Sequence, residues 1–243
     1  MKTINEQLMN VKQIRVIGLF YLLVIILAGF SQGYVRGSIF VSGDALETGS
    51  RILENNSLFR IGIVTDLMAF IIDAVISVLL YQLFKPFNKS MAMVMASLRL
   101  LAHPAIASMN LINHYLAYKV LHADTFMSTF NPEQLESLST LFLDAHSYGY
   151  MIAGAFFGVH CLLLGLLIYK SSIFPKIFGG FMIGAAAGYL LETFGNFSVP
   201  GYEQSTALIV GISAALGEVS LTFYMLIKGA KKTYKARLKN TVS

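Results

Sequence analysis

The sequence predicts an all-α integral membrane protein built as a six-helix bundle, and three observations carry that prediction. Apolar residues make up 56% of the 243 and charged residues only 13%, with a mean hydropathy of +0.65, which excludes an ordinary soluble domain and a disordered chain alike. The apolar residues gather into six stretches of bilayer-crossing length, about 20 residues each. The ionisable residues fall mostly between those stretches.

The spans are expected at roughly 13–35, 59–84, 88–118, 145–170, 173–197 and 205–229, forming one transmembrane domain over 1–243. The first is introduced by Lys2, Lys12 and Arg15 but no small-residue cleavage site follows it, so it reads as a retained helix. Thirteen basic residues (Lys2, Lys12, Arg15, Lys85, Lys89, Lys170, Lys176, Lys228, Lys231, Lys232, Lys235, Arg237 and Lys239) lie on the side of the amino terminus. Four (Arg36, Arg51, Arg60 and Lys119) lie opposite, and Arg99 lies within a span. The positive-inside rule therefore places both termini in the cytoplasm. The loop acids Asp44, Glu47, Glu54, Asp124, Glu133, Glu136 and Glu203 then fall outside, with Glu6 inside.

Tight turns at Lys85–Lys89 and Ser171–Pro175 make the second and third spans, and the fourth and fifth, antiparallel neighbours. The outer connections carry helix-start signals. Asp44 followed by Glu47 predicts a short helix through Leu53, and Asn131-Pro132 with Glu133 and Glu136 predicts another that runs into the fourth span. The basic run from Lys228 to Lys239 is expected to continue the last helix and hold it at anionic headgroups. Neither a nucleic-acid motif nor an internal repeat accompanies these features, and membrane lipids are the expected partners. The lone Cys161 excludes an intrachain disulfide.

An ionisable group in a lipid-embedded segment is costly unless paired or wetted, so the polar residues inside the spans are candidates for function. In the third span Arg99, His103, Asn110 and His114, spaced by four, seven and four, share one helical stripe within roughly 60°. Pro104 predicts a kink beside His103. Depth sorts the whole set into two layers. Near the midplane lie Asp73, Arg99, His103 and Glu218, expected as an ion network in which Arg99 bridges Asp73 and Glu218, or as a proton or ion relay. In the outer half lie Asp66, Asn110, His114, Asp144, His146, Glu192 and Asn196, with more carboxylate than cation, which demands water, protonation or a bound cation.

From this layer Asp66, Asp144, His146 and Glu192 are the candidate acid/base groups, and Asn110, His114 and Asn196 the candidate binding groups. A divalent metal held by a mix of Asp66, His114, Asp144, His146 and Glu192 suits the chemistry of zinc, iron or manganese, although no His-Glu-x-x-His motif backs it. Haem between His103 and His160 is a weaker expectation, since a lone histidine in a span is more often hydrogen-bonded core. No Gly-x-Ser-x-Gly nucleophile elbow is present. The small-residue stripes Gly154-x-x-x-Gly158 and Gly180-x-x-x-Gly184-x-x-x-Gly188 predict close helix packing inside one subunit, with an oligomer as the alternative use.

Several motifs also match in order. Val35-Arg36-Gly37-Ser38, Gly43-Asp44-Ala45, Leu58-Phe59-Arg60 with Asp66 beyond it, Lys85-Pro86-Phe87-Asn88-Lys89, His146-Ser147-Tyr148-Gly149-Tyr150 and Phe156 to Gly165 resemble the bacterial multi-pass membrane family called domain of unknown function 4386. The resemblance runs from about Arg15 to Gly229, with Leu98 standing where members usually have Phe. It implies bacterial origin and a plasma-membrane address, and it places Arg36, Arg60, Asp66, Arg99, His146 and His160 in shared motifs. Arg36 and Arg60 thereby join as binding candidates at the outer mouth, where they could pair with Asp66 or Asp144. The expected molecule has a polar, outward-opening cavity among the second to fifth spans, roofed by the outer segments. Its expected activity is acid/base or metal-assisted chemistry on a lipid or small amphiphile. The alternative is a transporter or binding protein for a small polar or cationic solute.

Overall fold

A computed structural model describes residues 8–122, 129–199 and 201–239, so Lys2, Glu6 and Asp124 of the charge pattern lie outside the described residues. Among these residues no strand occurs, and six helices are long and apolar enough to cross a bilayer. We number the helices α1 (Val11–Ile39), α2 (Ala45–Glu54), α3 (Asn56–Phe84), α4 (Lys89–Leu121), α5 (Pro132–Lys170), α6 (Lys176–Ser198), α7 (203–227) and α8 (Lys232–Lys239). Exposed Ile26, Ile71, Val78, Phe194, Leu208 and Ile227 cover their outward faces, as lipid contact requires. The chain is a multi-pass membrane protein.

The starts are written in local chemistry. Asn131 accepts from the Gln134 amide at 2.9 Å while the Gln134 side chain accepts from the Asn131 amide, and Pro132 occupies the first turn. The helix so begun runs unbroken for 39 residues, about 58 Å at 1.5 Å per residue, so its first turns stand clear of a hydrocarbon layer about 30 Å thick. Asp44 caps α2 by accepting from the Glu47 amide at 2.9 Å, and Asn88 caps α4 at Met91. The predicted short outer helix and the tight turns are both present. α1 extends to Ile39, beyond the expected end near 35, which carries Arg36 into the bundle.

Three spans share a departure from α geometry. π-helical turns occupy Gly29–Val35 in α1, Leu101–Ala107 in α4 around Pro104, and Ala215–Val219 in α7. Each carries a polar side chain that turns inward: Gln32, His103 and Glu218. A π turn inserts an extra residue and re-aims the side chains that follow, a device found often at functional sites.

One expectation fails at the carboxyl end. The basic run does not continue the last helix: Gly229, at φ +72°, reverses the chain, Lys231 donates its amide to the Ile173 carbonyl at 2.8 Å, and α8 folds back. Tyr234 is buried there and its hydroxyl donates to the Met9 carbonyl at 2.9 Å, tying the two described ends of the chain together at one end of the bundle, called here the terminal end. The core of that half is closely packed and apolar, built on Ile14, Ile17, Leu80, Phe84, Leu164 and Met225, all at most 1% exposed.

Small residues work as expected within the subunit, with a shift of position. A Cβ on Gly158 would meet Leu190 at 3.0 Å and one on Gly188 would meet the Ser213 hydroxyl at 2.1 Å, but Gly184 faces open space. The closest crossing of α5 and α6 is at Gly165 and Gly179, where each would press a Cβ within 2.9 Å of the other's carbonyl oxygen.

Candidate functional site

The midplane network forms around Arg99, only 1% exposed. Its guanidinium donates through Nε to Asp73 Oδ1 at 2.9 Å and again through Nη2, and Nη1 donates to the Tyr21 hydroxyl at 2.8 Å. The same group lies over the Tyr21 and Phe157 rings, 4.5 and 5.0 Å from their centres. His160 takes both of its nitrogens into this network: Nδ1 donates to the Met95 carbonyl at 2.8 Å, and Nε2 faces Arg99 Nη1 at 3.1 Å and accepts from it. No lone pair is left there for a haem iron. His103 Nδ1 donates to Asp73 Oδ2 at 3.1 Å, so both carboxylate oxygens are satisfied.

Glu218 is not part of that pair. The sequence placed it at the same depth as Arg99, and the structure corrects the expected bridge: Glu218 accepts from the Tyr189 hydroxyl at 2.8 Å and makes no ion pair among the described residues. It sits in the π turn of α7, across a space from Arg99 and on the wall of a 300 Å³ cavity whose other walls include Asp73, His103, Tyr150 and Phe157.

Towards the distal end, opposite the termini, α3, α4 and α5 bring Asp66, His114 and His146 together, all three 0% exposed. One ligand atom from each lies within 4.8 Å of the other two. Four of their polar atoms, Asp66 Oδ1, His114 Nδ1, His114 Nε2 and His146 Nε2, are buried with no hydrogen-bond partner. Such orphans are rare, since burying an unpaired polar group costs about 1–3 kcal/mol.

The other atoms of this group are held firmly. Gln32 Nε2 donates to Asp66 Oδ2 at 2.6 Å. His146 Nδ1 lies 3.2 Å from both the Asn110 carbonyl oxygen and the Asn110 side-chain nitrogen, and its Nε2 has no partner. The Asn110 side chain donates to the His146 carbonyl at 2.6 Å. Phe59 packs its edge on His114, 4.6 Å between ring centres. Sequence position indicated Asp66, His114, His146 and Asn110, but not Gln32, Tyr21, Tyr150 or Tyr189. The polar pair Ser31-Gln32 inside an apolar span was the available signal.

Asp144 and Glu192, expected in the same cluster, stand apart from it. With Arg36, His103, Tyr150 and Tyr189 they line a cavity of 670 Å³ between α1, α5, α6 and α7. Neither acid has a hydrogen bond or ion pair among the described residues. Asn196 borders the cavity but is engaged: it donates to Met151 Sδ at 3.1 Å and accepts from Thr206 at 2.9 Å. Arg36 donates to the Ser147 hydroxyl at 2.7 Å and to Gln32 Oε1 at 3.4 Å, and among the described residues has no carboxylate within ion-pair distance. Arg60 is exposed and lies 5.9 Å from the Tyr118 ring centre, outside the site.

The cavity's position also differs from the expected one among the second to fifth spans. It shares His103, Tyr150, Tyr189 and Ala214 with the midplane cavity, so the two adjoin across those side chains. Its mouth follows from the packing of α7. Near the terminal end a Cβ on Gly18 of α1 would touch Met225 at 2.9 Å, whereas Glu203–Ala214 of α7 buries no residue, so the two helices part towards the distal end.

Comparison with known proteins agrees on kinship and is silent on activity. The chain is 31% identical over 169 residues to an uncharacterized protein of Archaeoglobus fulgidus, a match spanning 70% of this chain and 84% of that one. No solved structure matches it. The family model described as Domain of unknown function (DUF4386) matches residues 16–229, nearly the whole bundle and every residue of the two polar layers, and the protein belongs to that family.

Proposed function

We propose that this protein is a membrane-embedded enzyme acting on a lipid or small amphiphile that enters sideways between α1 and α7. The observation that carries this is the pair of adjoining cavities. A 670 Å³ chamber bearing Arg36, Asp144 and Glu192 adjoins a 300 Å³ chamber lined by Val24, Ile25 and Ala28 of α1 and Ala215 and Val219 of α7, as well as by Asp73, Arg99, His103 and Glu218. Headgroup and chain of one amphiphile would find matching walls there. Arg36, Asp144 and Glu192 are placed to hold the polar end, and Gln32 links Arg36 to Asp66. The closed apolar packing of the terminal half supports an enzyme over a transporter, which needs a second exit.

In a proteoliposome of mixed lipids, wild-type protein is expected to deplete one lipid class with time, read by mass spectrometry. Ala214→Trp, which fills the junction of the two chambers, is expected to stop that depletion while leaving thermal stability within about 1 kcal/mol. If no lipid species changes with the wild type, the enzymatic proposal is lost.

The same proposal sets the protein in the cell membrane with its terminal end in the cytoplasm, from the excess of Lys and Arg there. Cysteines introduced at Glu133 and Lys176 should then react with an impermeant maleimide from outside and inside respectively. Reaction of the Lys176 position from outside would reverse the orientation.

A further inference from the structure

We infer that Asp66, His114 and His146 form the binding site of a divalent transition-metal ion. The inference deepens the enzymatic proposal and rests on it only for what the ion does, not for its being bound. Three residues of the right type converge from three different helices, which chance spacing along one helix cannot produce. Each offers a ligand atom to the same small volume, and Asp66 Oδ1, His146 Nε2 and both nitrogens of His114 are buried there without a hydrogen-bond partner.

The alternative to an ion is a set of three buried side chains satisfying one another, and the geometry does not offer it. His114 makes no hydrogen bond through either nitrogen, although it is 0% exposed in a segment where water is scarce. The residues around it could have been apolar at no cost to packing, as Phe59 and Ala117 nearby are. Donors of a tetrahedral zinc site, bonded at 2.0–2.1 Å, lie about 3.4 Å apart, so small side-chain rotations from the observed spacing close the site.

The surroundings are those a ligating group needs. Asn110 holds His146 at Nδ1, which orients the ring and leaves Nε2 without a partner, and Gln32 holds the second oxygen of Asp66. Partners of this kind fix ligand direction and raise ligand basicity. Three protein ligands leave at least one position open, the pattern of catalytic rather than structural zinc and of non-haem iron. Asp144 and Glu192 lie outside this group and line the cavity.

The test is elemental analysis of the intact protein purified in detergent without chelator, beside His114→Leu and His146→Gln. Leucine at 114 removes both orphan nitrogens and no hydrogen bond, so that variant should fold; its elution as a single species in gel filtration is the check. The wild type is expected to hold about one equivalent of a transition metal per chain and both variants less than about a tenth. Stripped wild type given Zn²⁺ or Co²⁺ should gain about 5 °C or more in its unfolding midpoint, and the variants should gain none.

A metal-free wild type that does not respond to either ion overturns the inference, and so does metal content unchanged in both variants. The proteoliposome assay separates the two proposals. Lipid turnover that survives metal stripping would keep the enzyme and remove the ion's part in it. A stoichiometric ion without turnover would keep the site and remove the enzyme.

Discussion

Replacing Arg99 by methionine is expected to destabilise the bundle by about 3–5 kcal/mol, because it strands the Asp73 carboxylate in a fully buried position with only His103 beside it. The Tyr21 hydroxyl and His160 Nε2 lose their donor in the same step. The double substitution Asp73→Leu with Arg99→Met is expected to recover most of that loss, since it removes both charges together. Unfolding in detergent, followed by circular dichroism for wild type, single and double variants, measures the difference. Equal instability of the single and double variants would show that the network contributes by shape rather than charge.

Gly149→Ala is expected to weaken the metal site by about 10–100-fold in affinity and to cost about 1–3 kcal/mol of stability. A Cβ at this position would stand 2.3 Å from Asn110 Oδ1. Asn110 has no room to yield, because its amide is held on the His146 carbonyl at 2.6 Å and its oxygen accepts from Asn113 at 2.9 Å. The displaced asparagine would drag α4 off α5 beside His146. Gly184→Ala is the control, with open space at the added methyl, and should be neutral or mildly stabilising. Zinc titration of the two stripped variants compares them, and equal affinities would remove Gly149 from the support of the site.

How far these sites could be read beforehand depends on which coordinate is asked for. Grouping was legible in part: Asp73, Arg99, His103 and Glu218 were assigned to one layer from their residue numbers, and all four border one 300 Å³ cavity. Partnership was less so. Arg99 was expected to bridge Asp73 and Glu218, and it holds only the first. Five residues were expected around a metal and three converge. Arg36 was expected at an outer mouth, yet the extension of α1 to Ile39 brings it beside Ser147 and Gln32, two hydrogen bonds from Asp66.

The π turns explain much of that gap. Each re-aims the side chains that follow by about 100°, the angle of one α-helical residue, and a helical wheel drawn at constant pitch cannot register it. The turn at Gly29–Val35 is what aims Gln32 at Asp66, and the turn at Ala215–Val219 holds Glu218 on Tyr189. Pro104 was the one visible warning, and it accounts for the turn in α4 alone.

By itself the sequence determined the six apolar spans, the starts at Asp44 and Asn131 and the antiparallel order, because rise per residue and apolar length are properties of one helix. Only the tertiary structure decided which polar residues meet. That depends on the rotation of each helix about its axis and on where α1 and α7 part, both set by contacts among helices distant in the chain.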